Sequence, residues 1–188
     1  PHCCAGQSCT TSRDPSDASW SDAGEKGRER SVPSTSAVFR YLEGFHDPEQ
    51  EKLRQPGKAF IPKPNGSLLA LRLVLRDLLA FVQARSPQTE ATLDVDATLV
   101  ATHKATALHS YKGPKAFQPL NVWWAQQGMI LHTEFRDGNV PAGFDILRVV
   151  EEALDMLPAG VVTVSVRSDT AAYQHEFLRW LVDAEKHP

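Results

Sequence analysis

At 188 residues the chain is long enough for one domain with a real core and a small appendage. Its hydrophobic fraction is 41%, and its longest apolar run, Leu68 to Val82, is interrupted by Arg72, Arg76 and Asp77, which excludes a membrane span there. The net charge of −3 conceals a gradient: eleven Lys/Arg face six Asp/Glu between residues 26 and 85, and eight face thirteen between 86 and 188. A basic front and an acidic back suit a protein that grips a polyanion with one part and holds metal with another.

Cys3, Cys4 and Cys9 are the only cysteines. Three thiols make no paired disulfide framework, and no later cysteine completes a zinc site. No signal peptide is visible, so a reducing cytoplasm is expected. Residues 1–31 are rich in Ser, Thr, Asp, Gly and charge, with Trp20 as their only large apolar residue. Such a stretch cannot bury enough surface to offset its ordering entropy, and a disordered tail is expected. The chain starts at Pro1 without a Met and is read as a fragment.

The next stretch, 32–87, reads as a small helical, basic region with possible DNA contact. Ser34 or Ser36 can cap a short helix carrying Val38, Phe39, Leu42 and Phe45. After a proline-containing loop, Asn65-Gly66-Ser67 supplies the next cap. From Leu68 to Arg85 the period is helical, with Leu68, Leu71, Leu75, Leu78, Leu79 and Val82 on the inward face and Arg72, Arg76 and Gln83 elsewhere. Beyond Ser86-Pro87 the pattern changes. Ala91–Val100, Phe117–Ala125 and Met129–Phe135 read as strands, the last two joined by Gln126-Gln127-Gly128. Asp145 to Leu157 is an amphipathic helix that Pro158 and Gly160 stop. Val161–Arg167 is a β-branched run typical of a central buried strand. Tyr173 to Glu185 forms the last helix.

Alternation puts Thr92, Asp94, Asp96 and Thr98 on one face of the first strand, with Leu93, Val95, Ala97 and Leu99 on the buried one. Asp169 falls just past the later apolar run, where a strand gives way to a loop. Two carboxylates from neighbouring strand ends can converge on one hard cation. The order strand, strand, strand, helix, strand, helix is the opening order of an α/β, RNase H-like fold. An Asp at a strand end also serves as a turn former or helix cap, and spacing alone does not separate the two roles.

Five segments in register carry a resemblance. Leu93-Asp94-Val95-Asp96-Ala97-Thr98, Tyr111-Lys112-Gly113, Phe117-Gln118-Pro119-Leu120, Glu134-Phe135-Arg136-Asp137-Gly138-Asn139 and Val166-Arg167-Ser168-Asp169 resemble, in order, the motifs of DDE transposases from bacterial insertion sequences. The resemblance covers roughly residues 31–188. It implies a partial RNase H-like core at 88–188, with Asp96 and Asp169 as the first two catalytic carboxylates and ligands of Mg²⁺ or Mn²⁺. DNA, as element ends and target, is the implied partner, with a homodimer in the full-length protein and no membrane association. Asp94, on the same face, is the reserve candidate. After Asp169 the chain reads Thr170-Ala171-Ala172-Tyr173 where the family has Ser-Gly-Phe, and the family's third carboxylate, a Glu on a later helix, lies past its end. The fragment is therefore expected to be inactive alone.

Two rival readings stand beside this one. Asp94-Val95-Asp96-Ala97-Thr98-Leu99 also resembles the opening motif of HAD-type phosphohydrolases, which would make Asp94 a nucleophile and Asp96 a general acid, with Mg²⁺. The other rival is a non-catalytic, DNA-binding remnant of a transposase.

Overall fold

The computed structural model describes residues 32–183. The expected disordered tail and the cysteines lie outside them, as does the end of the last expected helix. Contacts divide the chain into two compact units, Pro1–His46 and Asp47–Pro188. In the first, α1 (Thr35–Glu43) begins at Ser34, whose hydroxyl accepts from the Ala37 amide, and Tyr41 and Phe45 meet edge to face. Among the described residues no helix is long and apolar enough to cross a membrane.

The second unit is built on a mixed sheet. After α2 (Pro48–Lys52) and α3 (Gly66–Arg85) the chain forms β1 (Glu90–Ala97), then three short strands, β2 (Val100–Ala101), β3 (Leu108–His109) and β4 (Lys115–Phe117). It continues through β5 (Leu120–Trp124), β6 (Met129–Glu134), α4 (Ile146–Leu154), β7 (Thr163–Ser168), a 3₁₀ turn (Thr170–Ala172) and α5 (His175–Val182). The main sheet has the order β6-β5-β1-β7, with β5 antiparallel to both β1 and β6 and β7 parallel to β1. The three expected strands thus form the antiparallel meander, and α4 carries the chain across to β7.

The core lies on one face of this sheet. Ala91, Leu93 and Val95 of β1, Val122 and Trp124 of β5 and Leu131 of β6 are buried with Ile146, Val149, Val150 and Ala153 of α4. Leu79 of α3 and Phe177 of α5 complete the same cluster.

Four expectations need correction. The second expected strand is split, because Pro119 has no N–H to offer a ladder and Gln118 turns its amide to the Arg136 carbonyl at 2.9 Å. Its first residue, Phe117, instead belongs to β4, which pairs with β2 and β3 as a separate small sheet between β1 and β5. β7 is an edge strand among the described residues, not a central one: Val162 is 79% exposed and Val164 40%. The centre belongs to β1 and β5, each bonded on both sides. The inward face of α3 is also rotated from the expected one. Leu68, Leu71 and Leu78 are exposed, while Leu79 and Gln83 are buried and Leu75 packs beside them. Finally, Arg72 does not point away. Its guanidinium reaches the Glu152 carboxylate at 3.0 Å and the Glu152 carbonyl at 2.8 Å. Gln83 donates to the Gln88 carbonyl at 2.7 Å and accepts from its amide at 3.0 Å. Two polar residues with half-buried partners therefore set the helix rotation.

Glu152 is half-buried on α4. It joins Arg72, Arg148 and, through Arg148, Glu134 in a chain of ion pairs linking α3, α4 and β6. His132 lies inside this chain, with Nε2 at 3.6 Å from Glu152. Burial, ahead of the opposing pull of Glu152, holds its imidazole below the ordinary value of 6.5.

Two outcomes are expected. Leu79→Ala should cost about 2–5 kcal/mol in denaturant unfolding, and Leu71→Ala within about 0.5 kcal/mol of nothing; equal losses would contradict the observed rotation of α3. Between the lowered folded pKa of His132 and 6.5, the unfolded chain takes up a proton that the folded protein refuses. Its contribution is then fully present above 6.5 and lost as pH falls. His132→Gln, which does not titrate, should flatten the drop in unfolding free energy between about pH 7 and about pH 5.5.

Candidate metal centre

The sheet's other face carries the polar residues. Side chains directly opposite each other on paired strands share a face, so register alone defines two rows across it. One row runs Ile130, Trp123, Asp94, Arg167, from β6 to β7. The next runs Thr133, Asn121, Asp96. Its continuation on β7 is the position after Ser168, since Ser168 is paired with Val95. That position is Asp169. Its backbone is still extended, with φ −75° and ψ −175°, so the alternation of β7 carries through to it.

Asp96 and Asp169 therefore end adjacent parallel strands on one face, and neighbouring strands lie about 4.8 Å apart. Asp96 is exposed and makes no hydrogen bond or ion pair among the described residues. Its neighbour Asn121 is engaged at both ends, donating to Thr98 Oγ1 at 3.3 Å and accepting from Thr133 Oγ1 at 2.7 Å. Asp169 accepts from the Ala171 amide at 2.9 Å through Oδ1, which caps the 3₁₀ turn and fixes the carboxyl group. Capping engages one oxygen of the carboxylate and leaves the other available for a further contact.

Asp94 is differently placed. Both its oxygens accept from Arg167, Oδ1 from Nε at 2.5 Å and Oδ2 from Nη2 at 2.6 Å. A bidentate pair of this kind engages both oxygens of the carboxylate and fixes its orientation. Arg167 is thus turned to Asp94 and ties β7 to β1 one row below the two free carboxylates. The remaining acidic candidates lie elsewhere: Glu151 on α4 and Glu176 on α5 are exposed, and Glu152 is held in its ion pairs. No group of three or more His, Cys, Asp or Glu that could hold a metal occurs among the described residues.

Sequence reasoning missed the supports of this site. Gly143 is buried, and a Cβ there would lie 2.0 Å from the Ala171 carbonyl oxygen. The loop before α4 thus packs directly on the turn that Asp169 caps, and the Gln174 side-chain amide donates to the Gly143 carbonyl. Arg136 and Asp137 are also buried. Arg136 bonds Glu134 at 2.7 Å and the Phe144 carbonyl at 2.8 Å. Asp137 accepts from Arg54 and from the Phe60 amide, which fastens the segment before α3 to the end of β6. A charged pair abutting an apolar strand was the available signal for a buried role.

Gly143→Ala is expected to destabilise the protein by about 2 kcal/mol or more, because backbone must move to admit the methyl group. Gly66→Ala, where nothing lies within 4 Å, should be neutral or slightly stabilising. Unfolding midpoints of the two variants check the contrast, and equal effects would remove the role assigned to Gly143.

The family model for the transposase DDE domain, group 1, matches residues 14–187. No curated protein and no solved structure matches the chain. The family match spans nearly the whole chain, including both strand-end carboxylates and the sheet that pairs them, and the chain belongs to the transposase DDE domain family, group 1.

Proposed function

We propose that this chain is the catalytic part of an insertion-sequence transposase, with Asp96 and Asp169 as ligands of Mg²⁺ or Mn²⁺. The observation that carries the reading is the placement of two exposed carboxylates at the ends of adjacent parallel strands, beside a third, Asp94, already neutralised by Arg167. The donor set fits a hard divalent cation. Both groups are carboxylates, Asp96 is otherwise unengaged, and Asp169 is oriented by its own turn. Such a cation supplies activation of the attacking oxygen and stabilisation of the leaving one in phosphodiester transfer.

The strand order β6-β5-β1-β7 supports an RNase H-like architecture, with the meander, the crossover helix and the parallel strand in the expected succession. The substrate would be DNA at element ends, cut first by hydrolysis and then joined to target DNA through the freed 3′-hydroxyl. Two carboxylates make a weaker site than three, so low affinity and poor turnover are expected of this chain by itself. The HAD-type reading needs Asp94 as a free nucleophile, and the Arg167 pair opposes it.

Titration calorimetry with Mn²⁺ tests the assignment. Asp96→Asn and Asp169→Asn should each lower affinity about tenfold or more, the loss of one charged ligand from a shared site. Asp94→Asn should leave it within about twofold, because that carboxylate is already paired. Loss on Asp94→Asn with none on Asp169→Asn would overturn the reading in favour of a nucleophile at Asp94.

A further inference from the structure

Between Asp96 and Glu134 the chain contains no acidic residue, yet it contains Lys104, Lys112 and Lys115 with His103 and His109. In a molecule of net charge −3 this segment stands apart, and the fold gives it a definite place. It is the small sheet β2-β4-β3, which leaves β1 just after Asp96 and returns at the start of β5. Its roots are joined by the Thr98 amide donating to the Pro119 carbonyl at 3.0 Å and by the Asn121–Thr98 bond. The insert therefore rises from the carboxyl end of β1, the same end of the sheet that carries Asp96 and Asp169.

The insert ends in a rigid tip. The Gly113 amide donates to the Ser110 carbonyl at 2.9 Å, and both the amide and the hydroxyl of Ser110 donate to the Pro114 carbonyl at 3.0 Å. His109 Nδ1 lies 2.7 Å from the Gly113 carbonyl oxygen, and Gly113 adopts φ +101°, which a side chain would resist. This closed turn presents Tyr111, 75% exposed, with the Lys112 ammonium 5.6 Å from its ring centre. At the base Ala107 and Ala116 are buried, and Gly138 packs against the insert so closely that a Cβ would lie 2.4 Å from the Ala116 carbonyl oxygen. Among the described residues, the one acidic group paired with the insert's backbone, Asp137, is buried and bonded to Arg54. The stalk thus holds an exposed aromatic ring and exposed ammonium groups on a segment with no acidic residue of its own.

We infer that this hairpin grips the DNA backbone beside the strand to be cut, Lys104 and Lys112 neutralising phosphates and Tyr111 laying its ring against an adjoining sugar or base. The inference rests on the proposed function, which it deepens by naming the surface that meets the substrate. Fluorescence anisotropy of a short labelled duplex, titrated from about 50 to about 200 mM salt, tests it with the whole chain. Each phosphate contact contributes about 0.9 to the slope of log affinity against log salt, so Lys104→Ala/Lys112→Ala should make the slope shallower by about 1.8. Tyr111→Ala should weaken binding about fivefold or more at an unchanged slope. Arg76→Ala/Arg179→Ala, which removes two exposed cations from α3 and α5, should leave both quantities near those of the parent. If the parent binds DNA but the insert variants match it, the inference fails and the proposed function stands. An equal loss from the arginine pair also overturns it, net charge then being the cause. A parent that binds no DNA overturns both.

Discussion

β1 is hydrogen-bonded along both edges, antiparallel to β5 and parallel to β7. Because side chains alternate along a strand, that double pairing divides its residues without ambiguity. Ala91, Leu93 and Val95 go into the core with α4, and Thr92, Asp94 and Asp96 go to the opposite face. A slip of one residue against either neighbour would send Leu93 out and Asp94 in. The cost of exposing the first and burying the second holds the register. The same pairing places Asp169 beside Asp96, so the core that stabilises the sheet is also what sets these two carboxylates side by side. The Asp94–Arg167 pair strengthens the parallel edge at the point where it matters, one row from the free carboxylates.

Around this sheet, buried charge does the work of fixing neighbours. Arg136 holds the loop after β6 to the Phe144 carbonyl and to Glu134, and Asp137 draws Arg54 and the Phe60 amide onto the same corner. Gly138, next in sequence, lets the small sheet lie against that corner. Removing one partner from a buried pair typically costs about 3–5 kcal/mol, more than a well-packed methyl group contributes. The stretch Arg136-Asp137-Gly138 thus joins the main sheet, the insert and the segment before α3. On the other side of α4, Arg72, Glu152, Arg148 and Glu134 fasten α3 to β6, with the imidazole of His132 kept neutral between them by burial.

The long elements were legible because periodicity carries them. α3, β1, the β5–β6 hairpin, α4 and β7 all lie where their apolar patterns placed them, to within a few residues. Pairing was less legible. The β-branched run of β7 suits an edge strand as well as a central one, and only partners decide which it is. Strands of two or three residues have no period to detect, so β2 and β3 were invisible and β4 was merged with β5. The rotation of α3 was misjudged because Arg72 and Gln83 look like surface residues until their hydrogen-bond partners are known. Alternation and strand order drew attention to Asp94, Asp96 and Asp169, and the family resemblance chose Asp96 and Asp169 among them. The engagement of Asp94 by Arg167 was not legible, since it depends on register between strands 73 residues apart in sequence. Gly143 had no sequence signal, its role being the absence of a side chain beside Ala171.

The central claim is that Asp96 and Asp169 share one cation. Replacing that cation with Fe²⁺ and adding ascorbate and peroxide generates hydroxyl radicals at the bound ion, which cut the backbone nearby. Mapping the fragments by mass spectrometry reads the site directly. Cuts clustered near both Asp96 and Asp169, and suppressed by excess Mg²⁺, are the predicted result. Cuts confined to one of the two strand ends, or clustered elsewhere in the chain, would contradict a shared metal centre.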